Sequence, residues 1–172
     1  RFHKHSYGFR PNRSAHHAVA RAMFLVNISK YRYVVDVDIK GFFDNVDHGK
    51  LLKQLWTLGI QDKRLLCVLS KMLKAPIQGE GVPQKGVPQG GILSPLLSNV
   101  VLNELDWWIA SQWEAFPTKT NYTHEVSRYQ NLRRTSHMKE VFIVRYADDF
   151  KLFCKCRSDA ERIFTATTMW LK

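Results

Sequence analysis

Cysteine is scarce in this chain: Cys67, Cys154 and Cys156 are odd in number and lack zinc-ligand spacing. A disulfide framework is not expected, and free thiols in a reducing, intracellular setting are. Long apolar runs are missing too; none approaches the ~20 residues of a membrane span, and the N-terminus lacks a signal-peptide pattern. Neither internal repeats nor low-complexity tracts occur. Acids are the scarce charge. Fifteen Asp and Glu stand against 26 Lys and Arg, for a formal charge of +11. That imbalance favours a polyanionic partner, nucleic acid ahead of an anionic membrane.

What is present fits a globular domain, with 45% hydrophobic and 12% aromatic residues in 172, enough for one core or part of a larger one. The chain opens on Arg1 and closes inside SDAERIFTATTMWLK, where Ala160, Ile163, Phe164 and Thr167 keep helical spacing to the end. An excised piece of a longer protein is expected.

The N-terminal RFHKHSYGFRPNRS is basic and turn-rich, with Ser14 as an N-cap. Ala15, Val19, Ala22, Met23 and Val26 then form one helical face. YRYVVDVDI (31–39) reads as a strand, and 47–58 and 62–74 as helices. The Gly- and Pro-rich stretch 76–91 predicts a small hairpin and a loop. Ser94-Pro95 starts a helix whose buried face is Leu97, Val101, Leu105, Trp108 and Ile109. The polar, basic segment 117–138 lacks periodicity and reads as a surface insertion. VFIVRYADDFKLFCK (141–155) predicts two strands joined at Ala147-Asp148-Asp149. Short strands mixed with unpaired long helices indicate an α+β fold.

Two adjacent carboxylates amid apolar residues need an explanation. Unit charges about 4 Å apart repel by ~4 kcal/mol at an effective dielectric near 20. Solvent at an exposed turn can offset that cost, since Asp is a common turn former; so can a bound cation. Asp38, closing another apolar run two residues after Asp36, can join the pair if the two elements are sheet neighbours. Oxygen donors without His or Cys suit Mg²⁺, and two such ions suit phosphoryl transfer. Zinc is not favoured: His3, His5, His16 and His17 lack cysteine or acidic partners at ligand spacing. Cys154 and Cys156, two apart on a strand, read as packing.

YADD (146–149) between apolar strands, DIKGFFD (38–44), GVPQGGILSPLLSNVVLNELD (86–106) and SYGFRPNRSAHHAV (6–19) together resemble the reverse transcriptases encoded by group II introns, the maturase family. The matches cover most of 6–115 and 140–156. The resemblance implies a polymerase palm with a small antiparallel sheet backed by helices, plus part of the fingers. Residues 1–30 would be a basic fingers/palm segment and 31–172 the palm with the 117–138 insertion, the thumb and later domains being absent. Asp38 would lie on a central strand beside the YADD hairpin.

The implied site carries over by position. Asp38, Asp148 and Asp149 are similar to the family's three metal-binding acids, with the backbone carbonyl of Ile39 joining them and Asp148 the more direct ligand of its pair. Two Mg²⁺ ions, or Mn²⁺ as a substitute, would activate the primer 3′-hydroxyl and hold the triphosphate of the incoming dNTP. Phe43 resembles the steric gate beneath the nucleotide sugar, or else packs in the core. Gln89 resembles the residue contacting nucleotide and template. Gly90 and Gly91 would let backbone approach a strand closely, or simply form a turn. Lys40 and Lys85 stand where phosphate could be neutralised, or are solvated surface.

Two basic groups remain, Arg10, Arg13, His16, His17 and Arg21 near the N-terminus and Arg128, Arg133, Arg134 and Lys139 in the insertion. They read as phosphate contacts or as solubilising faces, with Tyr122 and Tyr129 placed to stack on bases. The expected activity is RNA-directed DNA synthesis on an RNA template with a DNA primer, together with binding of group II intron RNA to assist splicing. Alternatives are an RNA-binding splicing module that does not polymerise, a retron or diversity-generating reverse transcriptase, and a two-metal nuclease, which the ordered motifs disfavour. Apolar surface left by missing domains suggests a homodimer.

Overall fold

Two helix starts in this chain are fixed by capping carboxylates. The Asp47 carboxylate accepts from the Lys50 amide, and that of Asp62 from the amides of Arg64 and Leu65, satisfying N–H groups that the first helical turn leaves bare. In the computed structural model, which describes residues 2–77, 79, 81–88 and 90–171, six helices accompany three strands. Helix α1 spans Ala15–Met23 and continues as a π-helical turn, Phe24–Ile28. Strand β1 (Tyr33–Val37) precedes a 3₁₀ turn at Phe43–Asn45 and then α2 (His48–Thr57), α3 (Lys63–Leu73) and α4 (Ser94–Gln112). Helix α5 (Glu125–Thr135), β2 (Val141–Tyr146), β3 (Asp149–Cys154) and α6 (Arg157–Leu171) complete the chain. No helix among the described residues is long and apolar enough to cross a membrane.

The strands form one antiparallel sheet in the order β1-β3-β2. The register pairs Val37 with Phe150 and Asp36 with Lys151 on one side of β3, and Tyr146 with Asp149 on the other. Side chains alternate between faces. One face carries Val35, Ile143, Arg145, Phe150 and Leu152, and α4 and α6 pack on it. The other carries Asp36, Val144, Tyr146, Asp149 and Lys151, with α1 across its β2 side. Leu25, Leu51, Leu105, Ile109, Trp113, Phe150 and Leu152 are among the most deeply buried residues of the core. Tyr7, Ala18 and Leu25 belong to the same core as the sheet, so the N-terminal segment that carries them packs with the rest.

Several expectations need correcting. Strand β1 lies at an edge of the sheet and β3 is central, so Asp38 follows an edge strand. The segment 117–138 contains α5, tied down by buried Leu132 and by Tyr129, whose ring stacks on Trp113. Helix α4 is buried around much of its circumference, including Asn99, Asn103 and Asp106, because the sheet, α2 and the N-terminal segment surround it. The hairpin expected in 76–91 reduces, among the described residues, to one bridge between Ile77 and Gly81.

Candidate active site

The sheet register brings together the strand ends that carry the acids. Asp38 follows Val37, whose partner is Phe150, and Asp149 precedes Phe150. The β1–β3 ladder ends at that pair, with Asp38 and Asp149 each one residue beyond it. Asp38 and Asp149 are exposed and Asp148 is half-buried. On the open face, Lys151 Nζ donates to Asp36 Oδ1 at 2.6 Å and to Asp149 Oδ1 at 3.4 Å. These contacts, first that to Asp36, raise the lysine pKa. Hence an ammonium group already rests against this acidic face. Among the described residues no group of three or more His, Cys, Asp or Glu is drawn together tightly enough to hold a metal ion. The donors are hard oxygens reachable from solvent, which fits Mg²⁺ by type, but the carboxylates are not closed around a point.

The turn itself is Ala147-Asp148, and Ala147 takes φ +59°, a left-handed conformation uncommon outside glycine. Two neighbours hold it. Arg145 Nη1 donates to the Ala147 carbonyl at 2.6 Å, and Gly8 lies so close that a Cβ there would stand 2.3 Å from the Ala147 nitrogen. Tyr7 N donates to Arg145 O at 2.8 Å and Arg145 N to His5 O at 3.0 Å, so the SYGF block runs along the edge of β2.

The loop around PQGG is fastened to the FFD turn. Val87 N donates to Phe43 O at 2.8 Å, Gly86 N to Val46 O at 2.7 Å, and Lys85 Nζ to Asn45 Oδ1 at 2.6 Å. Gly86 has φ +93°, and a Cβ would stand 3.1 Å from the Phe43 and Asp44 carbonyls, so glycine permits this approach. Phe42 is buried while Phe43 is only half-buried, its ring edge-on to Phe42. Ile39 is half-buried, Lys40 exposed, and Gly90 has open space about its Cα at φ +81°. Gln89 lies outside the described residues.

The basic residues turn partly inward. Arg10 Nη1 donates to the carbonyls of His3 and Ser6, and Arg13 Nη1 to that of Lys4. Arg21 sits over the rings of Phe24 and Phe142. Arg133 makes a two-point pair with Glu140, with Nε to Oε1 at 2.8 Å and Nη2 to Oε2 at 2.7 Å. Arg134 is exposed. Burial would raise the Glu140 pKa, but its hydrogen bonds from Arg133, Lys155 and Tyr31 hold it at about 2.

Sequence reasoning missed the polar core beneath the hairpin: Arg145, Asp106, Asn99 and Ser6, all buried. A signal existed. Arg145 interrupts the apolar run VFIVRY, and Asn99, Asn103 and Asp106 recur at helical spacing in an otherwise apolar helix.

The family model described as reverse transcriptase (RNA-dependent DNA polymerase) matches residues 1–172. The chain belongs to the reverse transcriptase family. It is 35% identical over 166 residues to Protein YkfC of Escherichia coli strain K12, covering 90% of this chain and 43% of that protein. It is 38% identical over 138 residues to the group II intron-encoded protein LtrA of Lactococcus lactis subsp. cremoris, covering 77% of this chain and 22% of LtrA. This reverse transcriptase chain thus spans less than half the length of either relative. Its fold is similar to apo telomerase from Candida tropicalis, with a TM-score of 0.53 at 13% identity over 94% of this chain and 32% of that one. The α+β architecture of small antiparallel sheet and helices agrees with a polymerase palm and fingers.

Proposed function

We propose that this chain is the palm, with part of the fingers, of an RNA-directed DNA polymerase encoded by a group II intron. The observation that supports the reading is the antiparallel pairing of Val37 with Phe150, which leaves Asp38 one residue beyond the end of β1 and Asp148 and Asp149 two and one residues before Phe150 on the neighbouring strand's hairpin. Asp38, Asp148 and Asp149, with the Ile39 carbonyl, would hold divalent cations, Mg²⁺ or Mn²⁺. Such ions, when bound, supply the charge that stabilises the attacking and leaving oxygens of phosphoryl transfer.

The chain's own residues do the positioning. Phe43, half-buried on the 3₁₀ turn and braced edge-on by Phe42, would sit under the sugar of an incoming dNTP and occupy the space of a 2′-hydroxyl. Gly90, open at positive φ, would admit the template backbone beside Gln89. Exposed Lys40 and Lys85 would meet phosphate, and Arg134, Arg133 and the outward parts of Arg10, Arg13 and Arg21 would bind template or intron RNA through backbone charge. A second copy of the chain as partner belongs to the same proposal.

The test is primer extension by the full-length protein on an RNA template with a DNA primer. Asp148→Ala should abolish extension and leave RNA affinity, measured by filter binding, nearly intact. Polymerisation persisting in that variant refutes the assigned role. RNA binding without extension in the wild type would leave the splicing-module reading in its place.

A further inference from the structure

The guanidinium of Arg145 is completely buried and uses its full set of donors. Nε and Nη2 donate to the two oxygens of Asp106 at 2.8 and 2.7 Å, Nη1 to Asn99 Oδ1 at 2.9 Å and to the Ala147 carbonyl at 2.6 Å, and Nη2 to Ser6 Oγ at 2.9 Å. Five N–H groups meet five acceptors, the whole capacity of the planar fork. Asn99 is bridged the other way as well, its Nδ2 donating to the Gly8 carbonyl at 2.8 Å. Gly8 in turn abuts the Ala147 nitrogen. The network therefore grips the left-handed residue of the turn on both sides, by its carbonyl directly and by its nitrogen through Gly8.

We propose that Arg145, Asp106 and Asn99 form a positioning device that fixes the peptide plane entering Asp148 and so aims the hairpin-tip carboxylates at the metal-nucleotide site. The proposal rests on the polymerase reading above. The Ala147 carbonyl belongs to the same rigid peptide unit as the Asp148 nitrogen. Anchoring that oxygen to a buried, bidentate ion pair gives the Asp148 Cα one orientation. A left-handed alanine persists only where its surroundings over-determine it, and here the surroundings are these three side chains and Gly8. The same contacts account for the order of the SYGF block: Ser6 supplies an acceptor to the fork, and only a residue without Cβ fits at position 8.

A purely structural role predicts that activity follows stability; a positioning role separates the two. The separating variants are Arg145→Lys, which keeps the charge but loses the fork, and the double variant Arg145→Met/Asp106→Leu. Replacing both members of a buried pair by apolar groups of similar volume is often neutral for stability. In the full-length protein both should melt at a lower temperature, because the Ala147 carbonyl and Asn99 Oδ1 lose buried donors, and both are assayed well below it, where circular dichroism shows them folded. Their kcat for primer extension should drop about 10²-fold, the scale of an ångström's misplacement, with KM for dNTP within a few-fold. Mn²⁺ affinity, read by electron paramagnetic resonance without substrate, should weaken roughly 10-fold, as for lost outer-shell support of a metal ligand. Should either fail to fold, Asn99→Ala leaves the Arg145–Asp106 pair intact and should show the same split more weakly.

A folded variant with unchanged kcat and unchanged Mn²⁺ affinity overturns the proposal. If the wild type itself extends no primer, the polymerase reading fails, and the Mn²⁺ comparison still decides the positioning role.

Discussion

The β2–β3 hairpin is charged on both faces, and the ion pairs on the two faces differ in kind. On the helix-covered face the Arg145–Asp106 pair is fully buried, with side-chain exposures of 0% and 1%. On the open face Lys151 pairs with Asp36 and Asp149, and the three side chains are 39%, 69% and 59% exposed. Water offers Lys151 an alternative partner at every moment and offers Arg145 none. The buried pair therefore has one geometry and acts as an anchor, whereas the open pair is an exchangeable arrangement that hydration or another cation can replace. Placing the anchor under the turn and the exchangeable charges above it lets one hairpin be rigid in backbone and open in chemistry.

The largest effect should come from breaking the anchor on one side only. Asp106→Ala leaves the Arg145 guanidinium buried without its carboxylate, and losing one partner of such a pair costs about 3–5 kcal/mol. Urea unfolding of the wild type and the variant measures this directly. A loss below about 1 kcal/mol would mean that the buried pair behaves like the surface one, and the contrast between the faces would fall.

How much of this contrast the sequence disclosed depends on the range of the forces involved. The start of α2 was legible at Asp47 because a cap is a contact within three residues. The hairpin was legible because apolar runs flank YADD. Helix α5 was not legible, since it buries little besides Leu132 and so shows no apolar stripe. Nor was the inward use of Arg10 or Arg145, because their acceptors, from the His3 carbonyl to Asp106, are fixed only when the N-terminal segment, α4 and β2 meet. The central position assigned to Asp38 failed because residue order along a strand carries no information on which edge of the sheet it joins.

An intermediate case tests the comparison from its middle. Glu114 is 2% exposed, yet its partners reach solvent: His5 Nε2 at 3.0 Å and Lys4 Nζ at 2.9 Å, on the N-terminal segment that also buttresses the turn. Burial alone would raise its pKa, but the hydrogen bond and charge of His5 and then Lys4 outweigh it and hold the group at about 2, against 4.5 unperturbed. Because the folded pKa lies below the unfolded one, the stabilisation is complete above about pH 4.5 and fades as pH falls toward 2. Glu114→Gln should therefore cost stability above about pH 4.5, and progressively less as pH falls toward 2. Parallel pH–stability curves for the two proteins would sink this account.

The smallest effect on folding, and the most telling for the open face, belongs to Lys151. Lys151→Met removes an exposed ammonium, so stability should change by less than about 1 kcal/mol, and less still at high salt. Its consequence should lie elsewhere, because Asp36 and Asp149 lose the cation that now rests against them. A freed carboxylate pair attracts a divalent ion more strongly by roughly 1 kcal/mol at near-water dielectric, so Mn²⁺ affinity should tighten about five-fold. That direction is opposite to the one expected for Arg145→Lys, although the two residues stand on the same hairpin. Mn²⁺ titration of both variants in one buffer sets exchangeable charge against fixed support. If the Lys151 variant binds Mn²⁺ more weakly, the lysine is part of the anchor, and the division between the two faces is wrong.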